Sequence, residues 1–116
     1  MNWPDDQVEE LKKLFGEVHS AEEGGVTFFM FTSLTLPDHC TPSTMKALLC
    51  PTTRDGYTSR LFFANKIIVQ NPTIVLNWNI INQRILEENW QAYSWKINRT
   101  DLRLAQMVAD HIGALK

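Results

Sequence analysis

The sequence has no excess of positive charge. Its 11 Lys and Arg are outnumbered by 13 Asp and Glu, which gives a net charge of -2, and no basic run is longer than Lys12-Lys13. Binding to nucleic-acid phosphates needs a concentrated basic face. The charge balance therefore argues against a nucleic-acid partner.

Long apolar runs are also absent from the sequence. A helix that crosses a bilayer needs about 20 consecutive apolar residues, and no such run occurs. The chain opens Met-Asn-Trp-Pro-Asp-Asp, unlike the basic and apolar start of a signal peptide. We therefore expect a cytoplasmic location and no membrane partner.

Cysteine is scarce, which limits metal and disulfide chemistry. The chain contains Cys40 and Cys50, and a cytoplasmic location favours free thiols over a disulfide. His39 lies beside Cys40, but a Cys-x9-Cys spacing with one histidine matches no zinc pattern and leaves the ligand set incomplete. We expect no metal and no other cofactor.

What the sequence does contain predicts a single α+β domain over residues 1–116. A first helix follows Pro4 and ends at Gly16, and residues 17–25 are predicted to be a polar connection. A closing helix is predicted over residues 102–112, where apolar residues recur at helical spacing, with Asn98 or Thr100 as its cap.

Between these helices the pattern predicts an antiparallel meander of three to four strands. The segments rich in β-branched and aromatic residues are 26–36, Thr44–Cys50 and Arg60–Phe63, with a short fourth strand at 69–76. Asp55-Gly56 favours left-handed backbone angles and predicts a turn before the third strand. Residues 84–96 show no clear period, and we expect them to be irregular.

Several short motifs, taken in order, resemble the ubiquitin-conjugating (UBC) superfamily, and more closely its small bacterial branch. They are Leu36-Pro37, Ala47-Leu48-Leu49, Asp55-Gly56-Tyr57, Asn77-Trp78-Asn79 and Trp90-Gln91-Ala92-Tyr93-Ser94, followed by one closing helix. The resemblance implies a UBC-like fold truncated after one C-terminal helix, with an irregular segment around the active site. It implies a ubiquitin-like protein and its activating enzyme as partners, and antiphage defence as the setting.

The resemblance also implies roles for individual residues. In the family an asparagine before the nucleophile donates a hydrogen bond to the developing oxyanion, and Asn79 stands at that place. The family's catalytic cysteine is missing, because Leu86 occupies its position in Arg84-Ile85-Leu86. Ser94 is then the predicted acyl acceptor, forming an oxyester, and it needs a base within hydrogen-bond reach. The candidate bases are Glu87, Glu88, His39 and His111.

Two functions follow from this interpretation. The first is a ubiquitin-like protein transferase with Ser94 and Asn79 as catalytic residues. Its binding residues are Tyr57, Trp90 and Asn77, with Lys12 and Lys13 facing the activating enzyme. The alternative is a catalytically inert UBC-like module that docks a ubiquitin-like protein or its activating enzyme.

Ordinary structural roles also fit these residues. Tyr57 can pack under its turn, Ser94 can sit in a strand or turn with a satisfied hydroxyl, and Trp90 can lie in a core. Asn79 can cap a turn, and His111 is expected at the surface or boundary of the last helix.

Overall fold

The structure, a computed structural model, describes residues 3–116 and has a helix at each end of a strand-rich chain. Helix α1 spans Asp5–Phe15 and helix α2 spans Leu104–Gly113. The strands in chain order are β1 Val18–Glu23, β2 Val26–Thr35, β3 Cys40–Thr41, β4 Thr44–Cys50, β5 Arg60–Phe63, β6 Ile68–Val69, β7 Trp78–Ile85 and β8 Glu88–Tyr93. The predicted α+β class is confirmed.

Six of the strands form one antiparallel sheet in the order β1-β2-β4-β5-β8-β7, and β3 pairs with β6 separately. Strand β5 pairs along its whole length with β4, from Ala47 opposite Phe63 to Cys50 opposite Arg60. Its pairing with β8 consists of one register pair, Phe63 opposite Gln91. The hairpin of β7 and β8 therefore joins the rest of the sheet along a short seam.

Both faces of the sheet are buried, each in its own apolar cluster. Successive residues of a strand point to opposite faces, so Phe28 and Phe29 belong to different clusters, as do Phe62 and Phe63. The larger cluster lies between the sheet and the two helices and includes Leu11 of α1 and Val108 of α2. The smaller cluster consists of Phe28, Leu48, Cys50, Phe62, Ile85, Trp90 and Ala92.

The two helices contact each other through polar side chains at the start of α2. Arg103 donates to Asp6 at 2.9 Å and to Glu10 at 3.2 Å, and Gln7 accepts the backbone N–H of Leu104 at 3.0 Å. Side chains of α1 thereby satisfy donors at the N-terminal end of α2, which a helix start otherwise leaves free. Helix α2 begins at Leu104 with Arg103 as its N-cap, so the predicted caps Asn98 and Thr100 are wrong.

The predicted meander of three to four strands is too small, and the connection at 17–25 is wrong. Residues Val18–Glu23 form strand β1, which pairs with β2 around Gly24 and Gly25. Both glycines have positive φ, 60° and 78°, as a tight hairpin turn requires. In the predicted fourth strand at 69–76, only Val69 is in strand conformation, at the end of β6.

The expectation that residues 84–96 are irregular is also wrong, because most of them belong to the β7–β8 hairpin. The turn of this hairpin places Leu86 and Glu87 at φ of 52° and 66°, left-handed angles that ordinarily favour glycine or asparagine. The backbone N–H of Leu86 donates to Glu23 at 3.0 Å, which holds the tip of the hairpin against the turn between β1 and β2. Within residues 3–116, neither helix has the length and apolar character to span a membrane.

Candidate functional site

Tyr57, Asn79 and Ser94 meet at one hydroxyl group. Tyr57 Oη lies 2.8 Å from Ser94 Oγ, and it accepts a hydrogen bond from Asn79 Nδ2 at 3.0 Å. Arg60 lies beneath the Tyr57 ring, and the Lys96 ammonium lies 5.6 Å from the ring centroid. We call these five residues, Tyr57, Arg60, Asn79, Ser94 and Lys96, the Tyr57 cluster.

A tight turn places Tyr57 in this cluster. Arg54 and Tyr57 exchange backbone hydrogen bonds of 2.9 Å in both directions, which closes the turn at Asp55 and Gly56. These two residues have φ of 53° and 84°, so the predicted left-handed turn is confirmed. The aromatic ring that follows the turn is carried over the first residue of β5.

The β7–β8 hairpin places the other two residues. Trp78 pairs with Tyr93, and the Ser94 backbone N–H donates to the Asn77 carbonyl oxygen at 2.7 Å. Asn79 and Ser94 therefore lie side by side at the open end of the hairpin, although they are distant in sequence. The structure brings their side chains to the Tyr57 hydroxyl through strand pairing.

Sequence reasoning missed two residues of this cluster, Lys96 and the buried Arg60. Arg60 is 1% exposed, and its guanidinium carbon lies 3.9 Å from the centroid of the Tyr57 ring. Nη2 donates to Asn79 Oδ1 at 2.8 Å and to the Tyr93 carbonyl oxygen at 3.3 Å. The available signal was an arginine at the head of the apolar strand Arg-Leu-Phe-Phe.

The cluster favours the ionised form of Tyr57. The hydrogen bond with Ser94 lowers the pKa of the Tyr57 phenol below its ordinary value of 10.0, and the Asn79 bond and the charges of Arg60 and Lys96 add to this, while burial opposes it. Burial lowers the pKa of Arg60, because a charged guanidinium loses its hydration inside the protein. A phenol that ionises more readily than usual can, as the phenolate, accept a proton from the serine it contacts.

The base candidates predicted from the sequence lie elsewhere. His111 is 2% exposed, and its Nε2 lies 2.9 Å from Ser59 Oγ, not near Ser94. His39 bonds to the carbonyl oxygen of Leu115, and Glu88 pairs with Lys46. Glu87 is exposed at the turn of the β7–β8 hairpin.

The expected position of His111 at the surface or boundary of the last helix is therefore wrong. At Ser94 the hydrogen-bonded group is the Tyr57 hydroxyl.

Trp90 is not at a binding surface. Its side chain is fully buried in the smaller apolar cluster, and Nε1 donates to the Ile85 carbonyl oxygen at 2.9 Å. Asn77 is exposed at the start of the hairpin, and Lys12 and Lys13 are exposed on α1, where Lys12 lies 3.6 Å from Glu9. These three side chains remain accessible to a partner, but α1 contributes nothing to the Tyr57 cluster.

The position of the missing cysteine is far from Asn79. Leu86 lies in the turn of the hairpin, whereas Asn79 and Ser94 lie at its open end. A strand of this length spans about 20 Å, so a nucleophile at position 86 would not share a site with Asn79. The two cysteines are buried, and burial raises the pKa of the Cys40 thiol, which disfavours the reactive thiolate.

Comparison of the chain with models of protein families, with curated proteins and with solved structures finds no match. Across residues 3–116, no three His, Cys, Asp or Glu side chains gather closely enough to hold a metal ion. A serine, a phenol of lowered pKa, an amide and two cationic groups converge at the Tyr57 cluster.

Proposed function

We propose that this chain is a UBC-like carrier that accepts the C-terminus of a ubiquitin-like protein from an activating enzyme and passes it to an amine. Ser94 holds the acyl group as an oxyester. The observation that supports this proposal is the shared hydroxyl of Tyr57, which lies 2.8 Å from Ser94 Oγ and 3.0 Å from Asn79 Nδ2. A nucleophile, a proton acceptor and an oxyanion donor are thus within one hydrogen-bonded group.

In the loading step, Ser94 Oγ attacks the thioester carbonyl carbon on the activating enzyme. Its proton passes to the Tyr57 phenolate, the carbon–sulfur bond breaks, and the leaving thiolate takes that proton from Tyr57. The products are a serine oxyester and a free thiol. In the second step an amine attacks the ester carbonyl carbon and the bond from that carbon to Ser94 Oγ breaks. The proton lost by the amine passes to Ser94 Oγ, so an amide forms and the Ser94 hydroxyl is restored.

Asn79 and Arg60 orient the site during both steps. The Asn79 amide has two N–H groups, and one of them is used on Tyr57, so the other can donate to the developing oxyanion. Arg60 donates to Asn79 Oδ1 at 2.8 Å, which fixes the amide with its nitrogen toward the phenol. The positive charges of Arg60 and Lys96 favour the oxyanion over the neutral ester.

The test is an intact-mass measurement after mixing the chain with ATP and with an activating enzyme and a ubiquitin-like protein from the same organism. We expect one adduct that survives thiols and is cleaved by mild base. Ser94→Ala should abolish it, and Ser33→Ala, at an exposed serine of β2, should not. Ser94→Cys should convert the adduct to a thiol-sensitive thioester. Failure of the unaltered chain to form any adduct would reject the transferase.

A second function, a docking module without chemistry, is supported by a separate observation. Leu86 replaces the family's cysteine, and Cys40 and Cys50 are buried. In this case a stable non-covalent complex with the ubiquitin-like protein forms, Ser94→Ala leaves its affinity unchanged, and no covalent species appears. Calorimetric titration of both variants alongside the mass measurement separates the two functions.

A further inference from the structure

We propose that the Tyr57 cluster binds a carboxylate, and that the natural ligand is the C-terminal carboxylate of an extended peptide. The inference deepens the proposed function and rests on it for the identity of the peptide, which would be the tail of a ubiquitin-like protein. Recognition of the carboxylate itself follows from the charges and donors described below.

The first observation is a buried cation that lacks a carboxylate partner. Arg60 is 1% exposed, and Nη1 is buried without an acceptor among residues 3–116. Buried charges in proteins are ordinarily paired, because a charge removed from water must recover the lost hydration. Against the effect of burial, Tyr57 and then Asp55 raise the pKa of Arg60, but Tyr57 carries no charge while it is protonated. The Asp55 carboxylate lies 3.9 Å from Arg54 Nε and forms no ion pair with Arg60.

The second observation is that the cluster adds positive charge at its surface. Lys96 is exposed, its ammonium lies 5.6 Å from the Tyr57 ring centroid, and it forms no ion pair within the part of the chain that the structure describes. Two cations therefore lie next to one phenol ring. A small anion at the mouth of the cluster would compensate both of them.

The third observation concerns the hydrogen-bond donors that face this charge. The Asn79 amide uses one N–H on Tyr57, and Tyr57 and Ser94 share a single O–H···O contact. While Tyr57 is protonated, one amide N–H and one hydroxyl hydrogen therefore remain to be donated. Together with the ammonium group they suit a ligand that only accepts hydrogen bonds and has two oxygens, which describes a carboxylate.

The sheet topology favours an extended peptide as the carrier of that carboxylate. Asn79 belongs to β7, which is an edge strand of the six-stranded sheet. The outer edge of such a strand presents backbone N–H and C=O groups to which an extended chain can pair. The exposed side chain of Ile81 on the same strand offers an apolar contact to the incoming peptide.

The experiment titrates the chain with a synthetic hexapeptide ending in Gly-Gly, either as the free acid or as the C-terminal amide, with amide NMR shifts as the readout. We expect the acid to bind at least ten-fold more tightly than the amide, and the difference to shrink at high salt. Lys96→Ala should weaken binding of the peptide acid several-fold, whereas Lys66→Ala, at an exposed lysine after β5, should leave this affinity unchanged.

The sharpest variant is Asn79→Asp, which supplies an internal carboxylate to Arg60 at nearly the same size. We expect it to raise the urea midpoint of unfolding and to abolish the preference for the acid. Gain of stability with loss of ligand preference is not expected of a residue that is merely structural. Equal affinity for the acid and the amide would overturn the proposal that the cluster recognises a carboxylate. Tighter binding of inorganic phosphate than of the peptide acid would overturn the proposal that the natural ligand is a peptide C-terminus.

These titrations contain no activating enzyme and no ATP. Loss of the acid preference would leave adduct formation on Ser94 open to its own test. If the chain binds the acid but never forms an adduct, the carboxylate site is supported and the transferase function is rejected.

Discussion

The stability of this protein should fall as the pH drops from 7 to 5, because of one buried histidine. His111 is 2% exposed, and its Nε2 lies 2.9 Å from Ser59 Oγ. Burial lowers its pKa from 6.5 to about 4, the charge of Arg60 adds to this shift, and the charge of Asp110 opposes it. The folded state therefore keeps the imidazole neutral at pH values where the unfolded chain protonates it.

The magnitude follows from the two pKa values. Above pH 6.5 both states are neutral at this residue, so it contributes no pH dependence. Between pH 6.5 and pH 4 the unfolded chain binds a proton that the folded state does not, so the free energy of unfolding decreases as pH falls. From pH 7 to pH 5 the decrease is about 2 kcal/mol, since one pKa unit corresponds to about 1.4 kcal/mol.

The assay is urea unfolding followed by tryptophan fluorescence at half-unit steps of pH between 7 and 5. His111→Gln keeps a polar atom near Ser59 and removes the titrating group, so its stability should change much less over this range. His19→Gln is the matched control, because His19 is exposed on β1, and it should follow the unaltered protein.

The comparison between variants decides the outcome. Carboxylates affect the unaltered protein and both variants alike over the same pH range, so the difference from His111→Gln isolates the histidine. If the unaltered protein and His111→Gln stay parallel within about 0.5 kcal/mol, the reasoning on His111 is refuted.

Three further predictions concern the hairpin and the site. Glu87→Gly should raise the free energy of unfolding by about 0.5–1 kcal/mol, because φ is 66° there and glycine adopts this angle without strain. Glu9→Gly within α1 should lower the free energy of unfolding by about 1 kcal/mol. If urea unfolding shows that both variants change the stability in the same direction, the left-handed conformation of Glu87 is contradicted. Trp90→Ala should cost about 3–5 kcal/mol in the same assay, and a loss below about 0.5 kcal/mol would indicate a surface residue instead. Tyr57→Phe should slow adduct formation by at least about 100-fold and remove its increase with pH; an unchanged rate in a single-turnover mass assay would exclude Tyr57 as the base.

The elements that sequence reasoning placed correctly are marked by residues with strong local preferences. Pro4 and Gly16 bracket α1, Pro51 follows β4, and Asp55-Gly56 forms the turn before β5. These signals act within a few residues, so they are readable without knowledge of the fold.

The missed strands lack a regular apolar pattern, although Gly24-Gly25 after β1 is a local hairpin signal. In β1 only Val18 is buried, so the strand shows no alternation of apolar and polar residues. In β7, Asn82 has φ of 54° and the register shifts, which breaks the two-residue period. The turn that follows consists of Leu86 and Glu87 where glycine or asparagine is typical, so the residues of this turn do not predict a hairpin.

The site was predicted in part for the same reason. Asn79 and Ser94 were selected through a resemblance in motif order, and their roles stay predictions. Their contact with Tyr57 depends on strand pairing that the local sequence does not reveal. Arg60 stands at the head of the apolar strand β5, but its contacts could not be predicted, because its hydrogen-bond partners come from distant parts of the chain.

The short seam between β5 and β8 has a mechanical consequence. Tyr57 and Arg60 lie on one side of the seam, and Asn79 and Ser94 lie on the other. The hydrogen bonds between these side chains therefore hold the β7–β8 hairpin to the rest of the sheet. A ligand or substitution that strengthens these hydrogen bonds should slow deuterium uptake throughout the β7–β8 hairpin, including residues that it does not contact. A ligand bound at the Tyr57 cluster would then be detected through reduced local opening of the whole hairpin.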